Sequence, residues 1–504
     1  MAQNSIKSGA IISYISIVVN ILISLIYTPW MIREIGMSDY GIYSLIISFL
    51  SYFLLDFGLG SSISRFIAKY RADNDKEGID KMFSVTTFVY IFLDIVIFLV
   101  LSILFLYIED IFTGLTVIEI STLKKVYLIA GVFSLCTFGL KPFDGAMMAY
   151  EHFVPLKSMD LVQRLGTVLL ISISLLIGGN IYVLVFINGF VALAVSLCKL
   201  CYLFKHENIH ISVKLFDRNL AKELFTFSSW VFLINLAQRL RLNIVPSILG
   251  VFCNTTEISV FSVGMNLEGF IFTFSYALNG LFIPKVARIV KADDNRGEVT
   301  ELMIKVGRIQ LIIVGFIIIG LFGLGRSFIH LWIGDEFRDT YWVMVLLVAI
   351  YFISMTQHIG TTLSYVVNEV RYNSIFAFSS SLLSFILSLL MSPSWGAIGC
   401  AAAVCIALCT NTVMLNFFYK KKLHLNIGLF FRECHFKLLP LCIPLLMVLV
   451  IVDNTIGLNS WGELLIGGLA YTLTYFSLMY FCGMTKEEKL MIKQIKPNKI
   501  WKQK

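Results

Sequence analysis

Charge is scarce along this 504-residue chain: Asp, Glu, Lys and Arg make up 14% of it, against about 25% in soluble domains. No polar stretch between the apolar runs is long enough to hold an independently folded catalytic or nucleic-acid-binding domain, so nucleic acid is not expected as a partner. No GxxxxGK[ST] loop occurs that could cradle a nucleotide, which excludes hydrolysis by this chain as an energy source. The ten cysteines lie mostly inside apolar runs and do not form an extracellular disulfide framework. Cys198 and Cys201 make a CxxC without a second ligand pair, and His206 and His210 sit in a loop without one, so neither a metal nor another cofactor is expected. The first apolar run lacks a small-residue cleavage site and reads as a retained span, not a signal peptide.

What the chain has in abundance is hydrocarbon. Hydrophobic residues make up 58% of it and the mean hydropathy is +0.84, which calls for lipid as the solvent. Fourteen apolar segments are long enough to cross a bilayer core of about 30 Å. Six lie at 10–32, 40–63, 84–107, 126–149, 158–178 and 180–203. Six more lie at 226–250, 256–283, 306–328, 340–362, 372–392 and 396–419, and two follow at 437–453 and 461–483.

The basic residues give these segments an orientation. With the N-terminus in the cytoplasm, 30 of the 40 Lys and Arg fall in cytoplasmic loops. Five fall outside (Arg33, Lys124, Lys125, Arg326 and Arg338), and five lie within or near the ends of spans (Lys141, Arg164, Lys199, Arg239 and Arg241). That asymmetry follows the positive-inside rule and places both termini in the cytoplasm.

An internal similarity adds a second constraint. RFIAKYRADNDKEGIDKM at 65–82 aligns with KVARIVKADDNRGEVTEL at 285–302 at an offset of 220, pairing Arg65 with Lys285, Arg71 with Lys291, Ala72 and Asp73 with Ala292 and Asp293, and Lys76 with Arg296. Two basic cytoplasmic loops can resemble each other by composition alone, but an offset of six spans is also what duplicated transporter halves show. The expected fold is all-α and integral to the membrane, with about 14 transmembrane helices. Two pseudo-symmetric six-helix lobes, 1–204 and 226–424, are joined by a cytoplasmic connector at 205–225, and 425–504 adds two helices and a basic tail. In the connector, Asp217 is placed to cap a helix that could lie on the membrane surface.

IGMSDYGIYSL at 35–45, just after Thr28 and Pro29, resembles the LGxxxYGxxxL signature of bacterial polysaccharide flippases, with Ile35 in place of the usual Leu. DFGLGSSISRFIA at 56–68 and FSVGMNL at 261–267 are also similar to that family's pattern. With six, six and two spans, the resemblance to the O-antigen and teichoic-acid export family of the multidrug/oligosaccharidyl-lipid/polysaccharide flippase superfamily covers essentially the whole chain. It implies spans one, two, seven and eight around a central cavity. It also implies a bacterial plasma-membrane (inner-membrane) flippase, not an enzyme, that moves an undecaprenyl-pyrophosphate-linked oligosaccharide by alternating access for a surface polysaccharide such as lipopolysaccharide or capsule. Glycosyltransferases and a polysaccharide polymerase are the implied partners, beside the lipid-linked oligosaccharide and the bilayer.

Charges inside spans are costly, roughly 2.5–3.5 kcal/mol each on insertion scales, and mark the first places to look. In NLAQRLRLNIVP at 235–246, Asn235 and Arg239 are four apart and Gln238 and Arg241 three apart, so polar groups cover one arc of a helix. The two guanidiniums suit a pyrophosphate, because Arg donates in a planar fork and stays charged when desolvated. Alternatively they pair with an acid such as Glu268 and hold helices together. Asp56, Asp94 and Glu268 are candidates for coupling to a proton or sodium ion, with helix-to-helix hydrogen bonding as the other reading. Asn20 and Asn266 could contact sugar hydroxyls or bond across helices. Arg33 reads as an interfacial anchor, while Lys141 with Asp144 and Asp160 with Arg164 read as local ion pairs. Two rival functions stay open: a cation-coupled antiporter of the multidrug and toxin extrusion type, and a non-transporting scaffold for a glycan-assembly complex.

Overall fold

The computed structural model describes residues 2–53, 59–207, 209–212, 216–276, 282–293 and 296–494. Among them the secondary structure is entirely helical, the form in which a chain surrounded by lipid satisfies every backbone N–H and C=O within one segment. Nine helices among the described residues are long and apolar enough to cross a membrane. Each of the fourteen apolar segments falls on helix among the described residues. The protein is a multi-pass membrane protein.

Contacts divide the chain into two compact units, one of Met1–Asn266 with Ser374–Ala407 and one of Leu267–Asn373 with Leu408–Lys504. In the first, α1 (Ala2–Ile35), α2 (Met37–Phe53), α3 (Leu59–Ala72) and α4 (Lys76–Leu106) are followed by the short α5 (Ile108–Ile111). Then come α6 (Val117–Phe138), α7 (Pro142–Ala149), α8 (Phe153–Leu176) and α9 (Ile181–His206). The seventh apolar segment is α10 (Arg218–Gln238), a π-helical turn at Arg239–Asn243, and α11 (Ile244–Phe252); α12 (Thr255–Tyr276) begins in this unit.

Local chemistry explains the breaks. Gly36 closes α1 at φ +85°, a conformation that favours glycine. Thr116 and Glu119 form a reciprocal capping box at the start of α6. The fourth apolar segment is not one continuous helix: the chain turns after Phe138 and restarts with Pro142 in the first turn of α7, where a missing N–H costs nothing. Asp217 caps α10, accepting from the amides of Asn219 at 2.8 Å and Leu220 at 3.3 Å. The helix it starts runs unbroken to Gln238, so the connector feeds straight into the seventh segment and does not form a separate surface helix.

The second unit holds α13 (Ile283–Asp293), α14 (Arg296–Trp332), α15 (Thr340–Ala349), α16 (Tyr351–Ser354) and α17 (His358–Val366). The 52-residue α18 (Val370–Lys421), whose stretch Ser374–Ala407 belongs to the first unit, carries the eleventh and twelfth segments and breaks at Gly396, φ +52°. There the Glu257 carboxylate accepts from the Ala397 amide at 2.7 Å and caps the second half. The short α19 (Ile427–Phe430), α20 (Phe436–Ile456), α21 (Trp461–Leu478) and α22 (Lys486–Gln494) complete the described residues.

Two close contacts fix where elements meet. Gly41, in the YG of the 35–45 motif, lets α2 press against α12: a Cβ there would stand 2.4 Å from the Thr255 carbonyl oxygen and 2.9 Å from Ser259 Oγ. In the second unit Arg308, 4% exposed, grips the C-terminal segments. Its Nε donates to Glu488 Oε1 at 2.7 Å, Nη1 to the Glu433 carbonyl at 2.7 Å, and Nη2 to the Gly483 carbonyl at 2.7 Å and to Glu488 Oε2 at 3.1 Å. Burial works to raise the Glu488 carboxyl, but the hydrogen bonds from Arg308 and Thr485 outweigh it and hold it below its ordinary value.

Gly41→Val is expected to force α2 away from α12 at a cost of about 1–3 kcal/mol, seen as a lowered melting temperature in detergent; an unchanged melting temperature would mean that the close approach is not needed. Because the folded-state value of Glu488 is depressed, its stabilising effect is complete above the unfolded value of about 4.3 and is lost as pH falls through the lower folded value. Proteolysis of the C-terminal helix is therefore expected to rise steeply only below that range, whereas Glu488→Gln should make it accessible at neutral pH and leave little further pH dependence.

Candidate functional site

The polar residues of the first unit gather along two features. The first is a seam where α2 meets the π turn, α11 and α12. At one end Glu119 Oε1 accepts from Thr255 Oγ1 at 2.5 Å and Ser38 Oγ at 2.9 Å, and Ser259 Oγ donates to the Met37 carbonyl at 2.6 Å. Farther along, Asn266 donates to the Tyr40 hydroxyl at 2.9 Å and Asn243 to Ser51 Oγ at 2.9 Å. The Tyr52 hydroxyl, buried without a hydrogen-bond partner, lies within electrostatic range of Arg239.

The π turn changes what the seventh segment presents. The Ile244 amide reaches back to the Arg239 carbonyl, so one extra residue is fitted into the turn and the side chains beyond it are rotated relative to a regular α-helix. Arg239 and Arg241 are both half-buried, and among the described residues neither has a carboxylate partner. Arg241 Nε is buried without an acceptor. Asn235 is half-buried and Gln238 exposed.

The second feature is a cavity of about 440 Å³ within the first unit, lined by Asn20 and Tyr27 of α1, Tyr43 of α2, Gln163 and Arg164 of α8, and Asn188 of α9, among others. Arg164 Nη2 donates to Ser24 Oγ at 2.6 Å and Asn188 to the Tyr43 hydroxyl at 3.0 Å. Asn20 Oδ1 and the Tyr27 hydroxyl are buried with no partner, so the wall keeps hydrogen-bonding capacity unspent. Asp160 also lines the cavity and belongs to an ion network: Lys199, 6% exposed, holds Asp160 at 2.8 Å and Asp144 at 3.0 Å, with Lys157 at 3.4 Å from Asp160.

These contacts correct two local pairings. Asp144 pairs with Lys199, not Lys141, whose ammonium lies 5.3 Å from the Phe138 ring centre. Asp160 pairs with Lys199 and Lys157, and Arg164 turns to Ser24. In both cases Lys199, from a neighbouring helix, supplies a partner that spacing along one helix did not indicate, although Lys157 of the same helix also pairs with Asp160.

The acidic candidates separate. Glu268, 5% exposed, accepts a hydrogen bond from the Tyr351 hydroxyl within the second unit. Asp94 is half-buried on α4, its Oδ1 has no partner, and it stands against Gly139, where an added Cβ would approach Oδ2 to 2.8 Å. Asp56 lies outside the described residues. The sequence reading passed over Tyr27, Gln163 and Asn188; the signal for Asn188 was a lone amide in the run IYVLVFINGFVALAVSL.

The helical architecture has known counterparts. The lipid II flippase MurJ in its inward closed conformation superposes with a TM-score of 0.68 over 93% of this chain and 97% of that one, at 16% identity. An inward-facing multidrug resistance MATE family transporter of the MOP superfamily gives 0.65 over 80% and 96%, at 13% identity. The MATE multidrug transporter DinF-BH gives 0.61 over 84% and 95%, at 15% identity. At these identities the likeness speaks for the fold alone. No curated protein matches the chain in sequence. The family model described as polysaccharide biosynthesis protein matches residues 6–290, more than half of the chain and the whole stretch that holds the seam, the cavity and the π turn. The protein therefore belongs to the polysaccharide biosynthesis protein family, and its helical fold is like that of the MurJ and MATE structures.

Proposed function

We propose that this protein moves an undecaprenyl-pyrophosphate-linked oligosaccharide from the cytoplasmic to the outer leaflet of a bacterial cytoplasmic membrane, in the assembly of a surface polysaccharide. The observation that carries the reading is the pair Arg239 and Arg241, held half-buried at a π turn without a carboxylate partner among the described residues. Two cations kept in an apolar segment at such cost suit an anion that visits and leaves, and a pyrophosphate offers the paired oxygens that two guanidinium forks engage.

In this mechanism two six-helix lobes, with both termini in the cytoplasm, alternate their access to the two leaflets. Arg239 and Arg241 hold the pyrophosphate. Asn235, Gln238, Asn266 and Asn20 supply amides along the sugar path. Asp94, with its unpartnered oxygen, takes up and releases the coupling proton; Glu268, held by Tyr351, is the weaker coupling candidate. Glycosyltransferases supply the cargo and a polymerase consumes it. The shared fold with MATE transporters favours multidrug antiport as a second reading, but an unpaired arginine couple would repel the organic cations such an antiporter carries.

In proteoliposomes, Arg239→Ala with Arg241→Ala is expected to reduce flipping of a fluorescent lipid-linked oligosaccharide at least about tenfold, the loss of one charged hydrogen bond or more. The Lys double variant should retain part of the rate, since it keeps charge but not the fork. Full surface polysaccharide in cells that express the double Ala variant at normal level would refute the assignment. Asp94→Asn is expected to make the flipping rate insensitive to an imposed pH gradient; an unchanged gradient response would remove Asp94 from the coupling step.

A further inference from the structure

A second polar cavity lies in the other unit, on the side that the basic-residue asymmetry places outside the cell. About 340 Å³ in volume, it is lined by the end of α14, the turn into α15, the start of α15, the end of α20 and the residues just after it, a size in the range of small-molecule sites. Two of the five basic residues assigned to the outer side, Arg326 and Arg338, line it together. The proposed pyrophosphate site, on the seventh segment of the first unit, shares no residue with it.

The wall is built and charge-matched in all but one place. Arg326 is fixed between the Tyr341 and Trp342 rings, 5.1 Å from each ring centre, and donates to Asn454 Oδ1 at 3.0 Å. Asp453, 8% exposed, accepts from Ser327 Oγ at 2.5 Å. His330 Nδ1 sits 2.6 Å from Asp335, and the Tyr341 hydroxyl is spent on the Phe322 carbonyl. These pairings hold the aromatic and amide groups in fixed positions. Arg338 is the exception: it is exposed and, among the described residues, its side chain makes neither a hydrogen bond nor an ion pair. Trp342 remains 44% exposed beside it.

A half-open indole offers an apolar platform to the C–H face of a sugar ring, while Asn454, Asn459 and Asp335 bring donors and acceptors for hydroxyls. An unspent guanidinium fork selects a carboxylate or phosphate. We propose that this cavity binds an acidic saccharide, seated on Trp342 with its anionic substituent on Arg338. The negative group could be a uronic-acid carboxylate or a sugar phosphate. That such a saccharide is the exported cargo rests on the flippase reading; the binding itself does not.

The test is a titration of the full-length protein in nanodiscs, followed by ligand-observed saturation-transfer NMR. Three sugars are observed, a glucuronic-acid disaccharide, glucose 1-phosphate and the neutral disaccharide cellobiose, and inorganic pyrophosphate, which has no C–H protons, is added as a competitor. The expected result is binding of the uronate or the sugar phosphate, the stronger of the two identifying the anionic group, with cellobiose weaker. Arg338→Gln should weaken the acidic probe about tenfold and leave cellobiose unchanged, whereas Trp342→Ala should weaken both. Asn459→Ala, with an unaltered melting temperature, serves as a third variant if either of those fails to fold, and should weaken every sugar. Absence of saccharide binding, displacement of the acidic sugars by equimolar pyrophosphate in the protein carrying Arg239→Ala and Arg241→Ala, or an Arg338→Gln protein indistinguishable from the parent would each overturn the proposal. Sugar binding that persists when Arg239→Ala and Arg241→Ala abolish flipping separates the two sites; flipping without sugar binding removes this cavity and leaves the flippase reading standing.

Discussion

Hydrocarbon offers no hydrogen bonds, and that constraint governs the rest of the molecule. Any backbone left unpaired in lipid costs several kcal/mol, so the described chain is helix, and each interruption of a helix carries its own compensation. Gly396 is the clearest case: α18 breaks there, and the amide freed at Ala397 is taken up by the Glu257 carboxylate from another segment. The π turn at Arg239–Asn243 is another, since it fits an extra residue into the seventh segment while the amides stay hydrogen-bonded.

The same rule separates structural polar groups from available ones. Glu119, Thr255 and Ser38 satisfy one another and Ser259 donates to the Met37 carbonyl where α2 meets α12, and Lys199 is neutralised by two aspartates; these groups hold helices in place. Among the described residues, the two arginines of the π turn have no carboxylate partner, and Arg241 Nε, Asn20 and Tyr27 in the first-unit cavity, and Asp94 retain unspent capacity. In a medium that penalises unused polarity, groups left in that state are the ones a passing solute can engage.

How much of this could be read from the sequence depends on the range of the interaction. Apolar runs report directly on burial in lipid, and each of the fourteen segments lands on helix among the described residues. The IGMSDYGIYSL motif was legible as a pattern, and its physical content is the absence of a Cβ at Gly41, where α2 touches the Thr255 backbone. Pairings between helices were not legible. Spacing of three or four residues suggested Lys141 with Asp144 and Asp160 with Arg164, but Lys199, from a helix 39 residues beyond Asp160, supplied a closer and more buried partner. The π turn left no mark in hydropathy, because inserting one residue changes the facing of side chains and not their composition. Asn188 and Gln163 are single amides in apolar runs, too isolated to form a motif until the fold places them around one cavity.

The Arg308 clamp sets an order in time. All of its hydrogen-bond partners, at Glu433, Gly483 and Glu488, come later in the chain, the last by 180 residues. A ribosome releasing this protein from its N-terminus therefore exposes the guanidinium long before anything exists to receive it. Until Glu488 has been made, that charge has no carboxylate to receive it and must stay hydrated, so the second unit cannot close around Arg308 before the helix that carries Glu488 emerges.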